Sequence, residues 1–155
     1  MTQGSIAGPD RNAVFVGVSV LCFAAACALP CLEMSQKSDP VWYGLRILVL
    51  GWMGILAGQF AWLANPLWAF GLVAVAFRKW TLALAMLGLS LLFALNTLLL
   101  FGISLPADEG NVNHTSLVRL RIGFYLWLAS IGILFYRAFV MKTQPVRQHQ
   151  TRFQA

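Results

Sequence analysis

The stretch GQFAWLANPLWAFGLVAVAFRKW, Gly58 to Trp80, decides the fold because it belongs to an apolar run whose length fits neither one membrane span nor two. The run extends from Val41 to Phe77, and polar residues interrupt it at three places, Arg46, Gln59 and Asn65-Pro66. As one helix its 37 residues would reach about 55 Å, whereas the hydrocarbon core of a bilayer is about 30 Å thick. Two spans joined by a turn would need more residues than the run contains.

The composition is that of a chain whose solvent is a lipid bilayer. Of 155 residues, 59% are apolar and 10% are charged, whereas soluble proteins have roughly 25% charged residues. The net charge of +6 does not indicate nucleic-acid binding. The basic residues lie beside apolar segments rather than in a dense stripe with interleaved aromatic residues. We therefore expect the bilayer to be the first partner of this chain.

Four apolar segments are each long enough to cross a bilayer, at residues 13–29, 43–77, 82–103 and 117–140. The sequence therefore predicts an all-α integral membrane protein in which residues 1–155 form one bundle of four transmembrane helices. Pro30 closes the first segment, since proline cannot continue a helix. A cleaved signal peptide is the alternative for this segment, because FAAAC places small residues before Cys27.

The distribution of basic residues predicts the orientation of the bundle. An even number of spans places both termini on one side. That side, which includes the turn at Arg78-Lys79 and the basic tail at 141–155, holds seven basic residues, and the other side holds four. Cytoplasmic segments carry the excess of Lys and Arg, so we expect both termini in the cytoplasm and a location in the bacterial inner membrane.

The pair Asn65-Pro66 predicts a break within the second span. Pro66 has no N–H, and its ring displaces the carbonyl of Trp62, whereas asparagine is a favoured N-cap for a following helix. We expect two helical pieces, at about 43–64 and 66–77, that together make one oblique span. The second piece is too short to cross alone and has no polar face with which to lie on the membrane surface.

Small residues in the second span predict a helix-packing face. Gly44, Gly51 and Gly58 recur every seven residues, and Gly54 and Ala61 fall beside them. Helices in lipid associate through close backbone approach, which such a stripe allows. The expected partner is the first span, with its own small residues Gly17, Ala24 and Ala28. A seam between two copies of the chain is the alternative.

Polar groups near the predicted break form a candidate intramembrane site. They are Gln59, Trp62, Asn65 and Pro66 on the second span and Asn96 and Thr97 on the third. Transporters use broken helices in this way, because freed carbonyls and helix ends face a cavity. The alternative is that these groups only satisfy one another and the kinked backbone.

A rim of charged residues on the outer side is a second candidate site, comprising Arg46, Asp108, Glu109, Arg119 and Arg121. The rim either ties the outer loops to the helix ends or presents a recognition surface to a partner. In the same region Asn113-His114-Thr115 matches the acceptor sequence for glycosylation.

The sequence predicts no catalytic residue, metal site or cofactor. It contains no Gly-x-Ser-x-Gly elbow, no His-Glu-x-x-His and no paired redox cysteines. No Asp or Glu lies within a span, which argues against proton-coupled transport. Among the cysteines, Cys31 lies nearest the outer edge and is the one to test for reactivity.

We therefore expect a non-enzymatic protein that binds a membrane or extracytoplasmic protein. It would act as an immunity protein against a membrane-acting toxin or as an accessory subunit of a membrane complex. Many small bacterial inner-membrane proteins share this size and topology, immunity proteins among them. The alternative is a small transporter or channel that uses the broken second helix.

Overall fold

The computed structural model of this protein describes residues 11–36, 39–102, 105–106 and 114–152, and most of these residues are helical. The α-helices are α1 (Arg11–Ala28), α2 (Gly44–Leu50), α3 (Ala64–Ala76), α4 (Trp80–Leu95) and α5 (Ile122–Arg152). In addition, 3₁₀ helices extend α2, precede α3 and extend α4, at Gly51–Ala57, Ala61–Leu63 and Asn96–Phe101. The strands are β1 (Pro30–Met34), β2 (Val41–Tyr43), β3 (Leu105–Pro106), β4 (His114–Thr115) and β5 (Leu117–Leu120).

By length and composition, three helices among the described residues could cross a membrane, Arg11–Ala28, Trp80–Phe101 and Ile122–Thr143. They correspond to the first, third and fourth predicted spans. The second predicted span is instead two shorter apolar helices, Gly44–Ala57 and Ala61–Ala76, so a bundle of four full spans is not confirmed. We term residues 44–76 the second segment.

The surface of the helices is apolar, as expected if lipid surrounds them. Large hydrophobic side chains are exposed on the helices, among them Leu21, Phe70, Leu92 and Phe139. Alanine and serine occupy many of the most deeply buried positions. This distribution is typical of helices in lipid, where small interior residues allow close packing.

Buried serines join the helices by hydrogen bonds. Ser19 of α1 donates to the carbonyl oxygen of Ser130 in α5 (2.7 Å) and accepts from the indole N–H of Trp68 in α3 (3.1 Å). Ser90 of α4 donates to the carbonyl oxygen of Ala64 at the start of α3 (2.8 Å). Bonds of this kind between membrane helices contribute about 0.6 kcal/mol each. Together these bonds connect α1, α3, α4 and α5.

A small antiparallel sheet caps one end of the bundle, which corrects the prediction of an all-α fold. Its strand order is β2-β1-β5, with Glu33 of β1 opposite Arg119 of β5. The sequence predicts that residues 117–121 begin the fourth span, but α5 begins only at Ile122. Strand β5 is extended because pairing with β1 satisfies its backbone groups while Leu117 is buried and Val118 is exposed. Strands β3 and β4 form a separate two-stranded ladder.

The second segment breaks at Gly58, earlier than the predicted position at Asn65-Pro66. Gly58 has a left-handed φ of 75°, and its N–H donates to the carbonyl of Ile55 (3.0 Å). The N–H of Gln59 donates to the carbonyl of Gly54 (2.8 Å). This Schellman arrangement ends helices and favours glycine, which adopts that φ without steric cost.

Pro66 does not break the chain because it lies in the first turn of α3. The N–H groups of a first turn have no partner within the helix, so a proline there removes no helical hydrogen bond. The sequence predicts the break at the proline, whereas the structure places it at the glycine.

The two ends of the bundle have different surfaces. The sheet covers the end where α1 finishes and α2 begins, and there the N–H of Gly44 donates to the carbonyl of Leu29 (3.1 Å). Basic residues line a shallow depression at the turn between α3 and α4, next to α5, namely Arg78, Lys79 and Lys142. We term these the sheet end and the basic end.

The substitution Gly44→Ala is expected to destabilise the protein, whereas Gly17→Ala is not. A Cβ at Gly44 would collide with the carbonyl oxygen of Ala26 and lie 2.9 Å from the Cα of Cys27, so α1 and α2 would have to separate. Overpacking of this kind costs about 1–3 kcal/mol. A Cβ at Gly17 meets nothing within 4 Å, and alanine favours a helix by about 1 kcal/mol over glycine. The free energy of unfolding of each variant is measured by reversible unfolding in mixed micelles. Equal values for the two variants would contradict the close contact between Gly44 and the backbone of α1.

Candidate functional site

A cavity of about 860 Å³ adjoins the sheet, between the first half of the second segment and the rest of the bundle. We term it the sheet-end cavity. Most of its lining is apolar or aromatic, and its size and composition are those of ligand sites in proteins. Each of the elements around it contributes lining side chains, including Cys27, Trp42, Ile47, Met53, Leu100 and Phe124.

Asn65 is held by hydrogen bonds to two neighbours. Its Nδ2 donates to the carbonyl oxygen of Trp62 (3.1 Å), and its Oδ1 accepts from the indole N–H of Trp127 in α5 (3.0 Å). The carbonyl that Pro66 was predicted to free therefore has a partner. Asn65 joins α3 to α5, which is the structural role that the sequence left as the alternative to an ion path.

The other predicted polar residues are distributed around the same break. Gln59, Trp62, Asn65 and Thr97 all line the sheet-end cavity. Asn96 lies beside it, where its Oδ1 accepts from the backbone N–H of Phe60 (3.1 Å) and so ties α4 to the turn after Gly58. Pro66 is not among the lining residues.

Three polar atoms of the cavity lining are buried without a hydrogen-bond partner among the described residues. They are Oε1 of Gln59, Oγ1 of Thr115 and Nε1 of Trp42. Gln59 is 9% exposed and Thr115 is 2% exposed. An unpaired buried polar group costs about 1–3 kcal/mol, so three in one cavity indicate a place where a further molecule can bond.

The glycine stripe does not form a single packing face. Gly44 contacts the backbone of α1, as predicted, whereas Gly51 and Gly54 face the side chains of Trp62 and Gln59. Gly58 has open space around it and serves as the helix end, and Ala61 lines the cavity. Gly17 of the first helix is not in contact with the stripe either.

Two of the three basic residues of the predicted charged rim pair with acids of the segment between α1 and α2, and the third, Arg119, lies opposite Glu33 in the sheet. Arg46 forms an ion pair with Asp39, and Arg121 forms one with Glu33 (2.6 Å). The Arg46 guanidinium also lies over the ring of Trp42, 4.9 Å from its centroid. These pairs tie the sheet to the helix ends. Asp108, Glu109 and Asn113 lie outside the described residues.

Cys31 is buried rather than at an exposed edge. It is 6% exposed, and its Sγ lies 3.4 Å from the carbonyl oxygen of Ala26. Burial, and to a smaller extent the neighbouring thiol of Cys27, raises the pKa of Cys31 to about 11. Since the thiolate is the reactive form, this thiol is protected at neutral pH.

Three contributors to this region are missing from the predicted sites, Trp42, Thr115 and Trp127. In the sequence both tryptophans fit the aromatic belts found at membrane surfaces, and nothing local distinguishes such a residue from a tryptophan that lines a cavity. Trp127 precedes Ser130 by three residues and Ile131 by four, so helical spacing alone places it on the same face of α5 as these two residues. Thr115 has no local signal, since only pairing in the sheet region brings it to the cavity.

Comparison of this chain with protein-family models, with curated proteins and with solved structures gives no match. Among the described residues, no group of three His, Cys, Asp or Glu side chains is placed to hold a metal ion. The function proposed below therefore depends on the geometry of the sheet end.

Alkylation of Cys31 by iodoacetamide is expected to be slow at pH 8 and to accelerate as the pH approaches 11. A pKa of about 11 leaves roughly a hundredfold less thiolate at pH 8 than an ordinary thiol has. Mass spectrometry of the Cys31 peptide from the unaltered protein measures its alkylation, and the same protein unfolded in detergent is the control. A rate that levels off near pH 9 in the folded protein would contradict the burial of this thiol.

Proposed function

We propose that this protein crosses the membrane four times and acts by binding a partner protein at its sheet end, without catalysis. The proposal of a fourth crossing is supported by the course of the second segment. It starts at the sheet end, where Gly44 bonds to Leu29, and it finishes at the basic end, where Lys79 bonds to Ala74. Its two short helices are both apolar, so the bilayer can surround both.

The proposed orientation places the basic end and both termini in the cytoplasm. Seven basic residues belong to that side and four to the sheet side. The four basic residues of the sheet side include Arg46 and Arg121, which are paired with acids. The bacterial inner membrane is the compartment that this arrangement fits.

An edge strand is the observation that carries the binding proposal. In the described sheet β5 lies at one edge, and its Val118 is 53% exposed while Arg119 is also exposed. Edge strands present backbone N–H and C=O groups with which another chain can pair. An immunity protein that captures a membrane-acting toxin and an accessory subunit of a membrane complex are the two forms of this function.

Labelling of Val118→Cys is expected from outside intact cells, whereas Lys79→Cys should react only after permeabilisation. Both are made in a background without the three native cysteines, and a membrane-impermeant maleimide is the reagent. A bifunctional crosslinker at Val118→Cys should capture one protein, and Leu82→Cys at the basic end is the matched control. Capture of the same proteins at both positions, or outside labelling of Lys79→Cys, would contradict the proposal.

A small transporter or channel is the second candidate, and the unpaired Oε1 of Gln59 beside the break favours it. Broken membrane helices expose groups of this kind to transported ions. The paired state of Asn65 and of the Trp62 carbonyl argues for a structural role of the neighbouring residues.

The variants Asn65→Ala and Gln59→Ala separate these two functions. Asn65→Ala should lower the abundance of the protein in the membrane, because it removes the bonds to Trp62 and Trp127. Gln59→Ala should leave abundance unchanged, since its Oε1 has no partner to lose. Solute or ion flux into reconstituted vesicles that Gln59→Ala abolishes would support transport. Vesicles without flux for the unaltered protein would leave binding as the function.

A further inference from the structure

We propose that the sheet-end cavity binds an uncharged amphiphile from the bilayer, a molecule with an apolar chain and a head of hydroxyl, ester or amide groups. The head would bond to Gln59, Thr115 and Trp42, and the chain would lie against the apolar lining. This inference rests on the proposed placement in a membrane, but it does not depend on the partner protein at β5.

Three of the five buried side-chain atoms without a hydrogen-bond partner among the described residues lie in the cavity lining, and the other two belong to the Arg121–Glu33 ion pair. Elsewhere the buried hydroxyls of Ser19, Ser90 and Ser130 all bond to neighbouring helices or to their own helix. The indole N–H of Trp62 donates to the carbonyl of Leu48 (2.8 Å), whereas that of Trp42 has no partner among the described residues. Unpaired groups that gather in one cavity indicate a bound molecule that completes them.

The three atoms define the chemistry of the head group. Oε1 of Gln59 accepts a hydrogen bond, Nε1 of Trp42 donates one, and the hydroxyl of Thr115 does either. A complementary head must therefore offer both a donor and an acceptor. A hydroxyl next to an ester or an amide meets this requirement, whereas a hydrocarbon alone does not.

The charges around the cavity favour an uncharged head. Arg46 is the one charged side chain in the described lining, and it already pairs with Asp39. Arg121 and Glu33, at the nearby sheet, pair with each other. A charged head group buried in an apolar cavity would need a free counter-ion, and these pairs leave none within the described lining.

Part of the cavity lining also belongs to the apolar perimeter of the bundle. Leu50, Met53 and Leu56 line the cavity and are also exposed, Leu56 to 84%. These residues belong to α2 and to the 3₁₀ helix that extends it. A molecule that enters the cavity beside these residues would come from the lipid rather than from water. This route favours an amphiphile over a water-soluble ligand.

Photolabelling of the purified, full-length protein tests this inference. The protein is reconstituted in phosphatidylcholine vesicles that contain a monoacylglycerol with a photoactivatable group in the middle of its chain. Labels are expected on buried residues of the cavity lining such as Leu100 and Phe124, and excess unlabelled monoacylglycerol should remove them. A fatty acid probe with the same chain, which is anionic, should label the outer surface only.

Two substitutions remove the proposed head-group contacts. Thr115→Val and Gln59→Leu are each expected to weaken labelling of the cavity roughly fivefold, the effect of one lost neutral hydrogen bond. Thr115→Ser keeps the hydroxyl and should retain labelling. Thr81→Val, at an exposed threonine of the basic end, is the matched control and should also retain it.

Thermal stability distinguishes a ligand from bound water. If the amphiphile completes Gln59, monoacylglycerol raises the Tm of the unaltered protein, and Gln59→Leu reduces this increase without lowering the Tm of the lipid-free protein. Water alone would be indicated by a lower Tm for lipid-free Gln59→Leu and no response to the lipid, and this would overturn the inference. Equal labelling of Thr115→Val and Thr115→Ser, or equal cavity labelling by both probes, would overturn it as well. Because these assays use one purified protein, a failure to find a partner at β5 does not affect them.

Discussion

The constraint behind this structure is that polar groups surrounded by apolar atoms must pair within the protein, because lipid offers them no hydrogen bonds. Within a helix the backbone N–H and C=O groups bond to one another. The groups that still need partners are therefore polar side chains and the backbone groups at helix breaks. Ser19 meets it by joining α1 to α3 and α5 at once, and Asn65 meets it by holding both Trp62 and Trp127. The contacts that satisfy these groups are the same contacts that fix which helices are neighbours.

The second segment shows how the same constraint permits a break. At Gly58 the helix ends with its last carbonyls capped by the N–H groups of Gly58 and Gln59, and the next N–H, that of Phe60, is taken by Asn96. These three backbone N–H groups at the break are therefore paired. Three of the buried side-chain atoms that lack a hydrogen-bond partner among the described residues lie instead in the cavity lining. The chain thus pairs the backbone N–H groups at the break but leaves side-chain atoms of the adjacent cavity without a partner among the described residues. This contrast supports the proposal that the cavity binds a further molecule.

Much of the fold follows from local properties of the sequence, and the rest depends on distant contacts. Apolar length alone predicts the helices that become α1, α4 and α5, because a membrane-length helix needs no partner to satisfy its backbone. The strand at residues 117–120 was assigned to a helix because its apolar residues continue those of α5, and only pairing with β1 makes it extended. The sequence predicts the break at Asn65-Pro66 because proline usually interrupts a helix. Proline is tolerated in a first turn, and whether Pro66 lies in one depends on where the helix starts.

The candidate site also has a part that the sequence predicts and a part that depends on distant contacts. Gln59, Asn65 and Thr97 could be identified as polar residues within apolar spans, and the structure gathers them at one cavity. Their roles could not be assigned, because a paired Asn65 and an unpaired Gln59 differ only in which neighbours arrive from other helices. Trp42 comes from a strand of the sheet and Thr115 from the β3-β4 ladder, so strand pairing between distant segments fixes their positions.

The pairing of β1 with β5 also sets an order of events during synthesis. Strand β1 follows the first helix out of the ribosome, but the strand that pairs with its second edge is made only after α4. Contacts between such distant parts of a chain form late, because the intervening loop must close first. A nascent chain that stops before β5 has its early helices inserted but lacks one wall of the cavity. The cavity is therefore a property of the completed chain, and delivery of the last helix is the step that closes it.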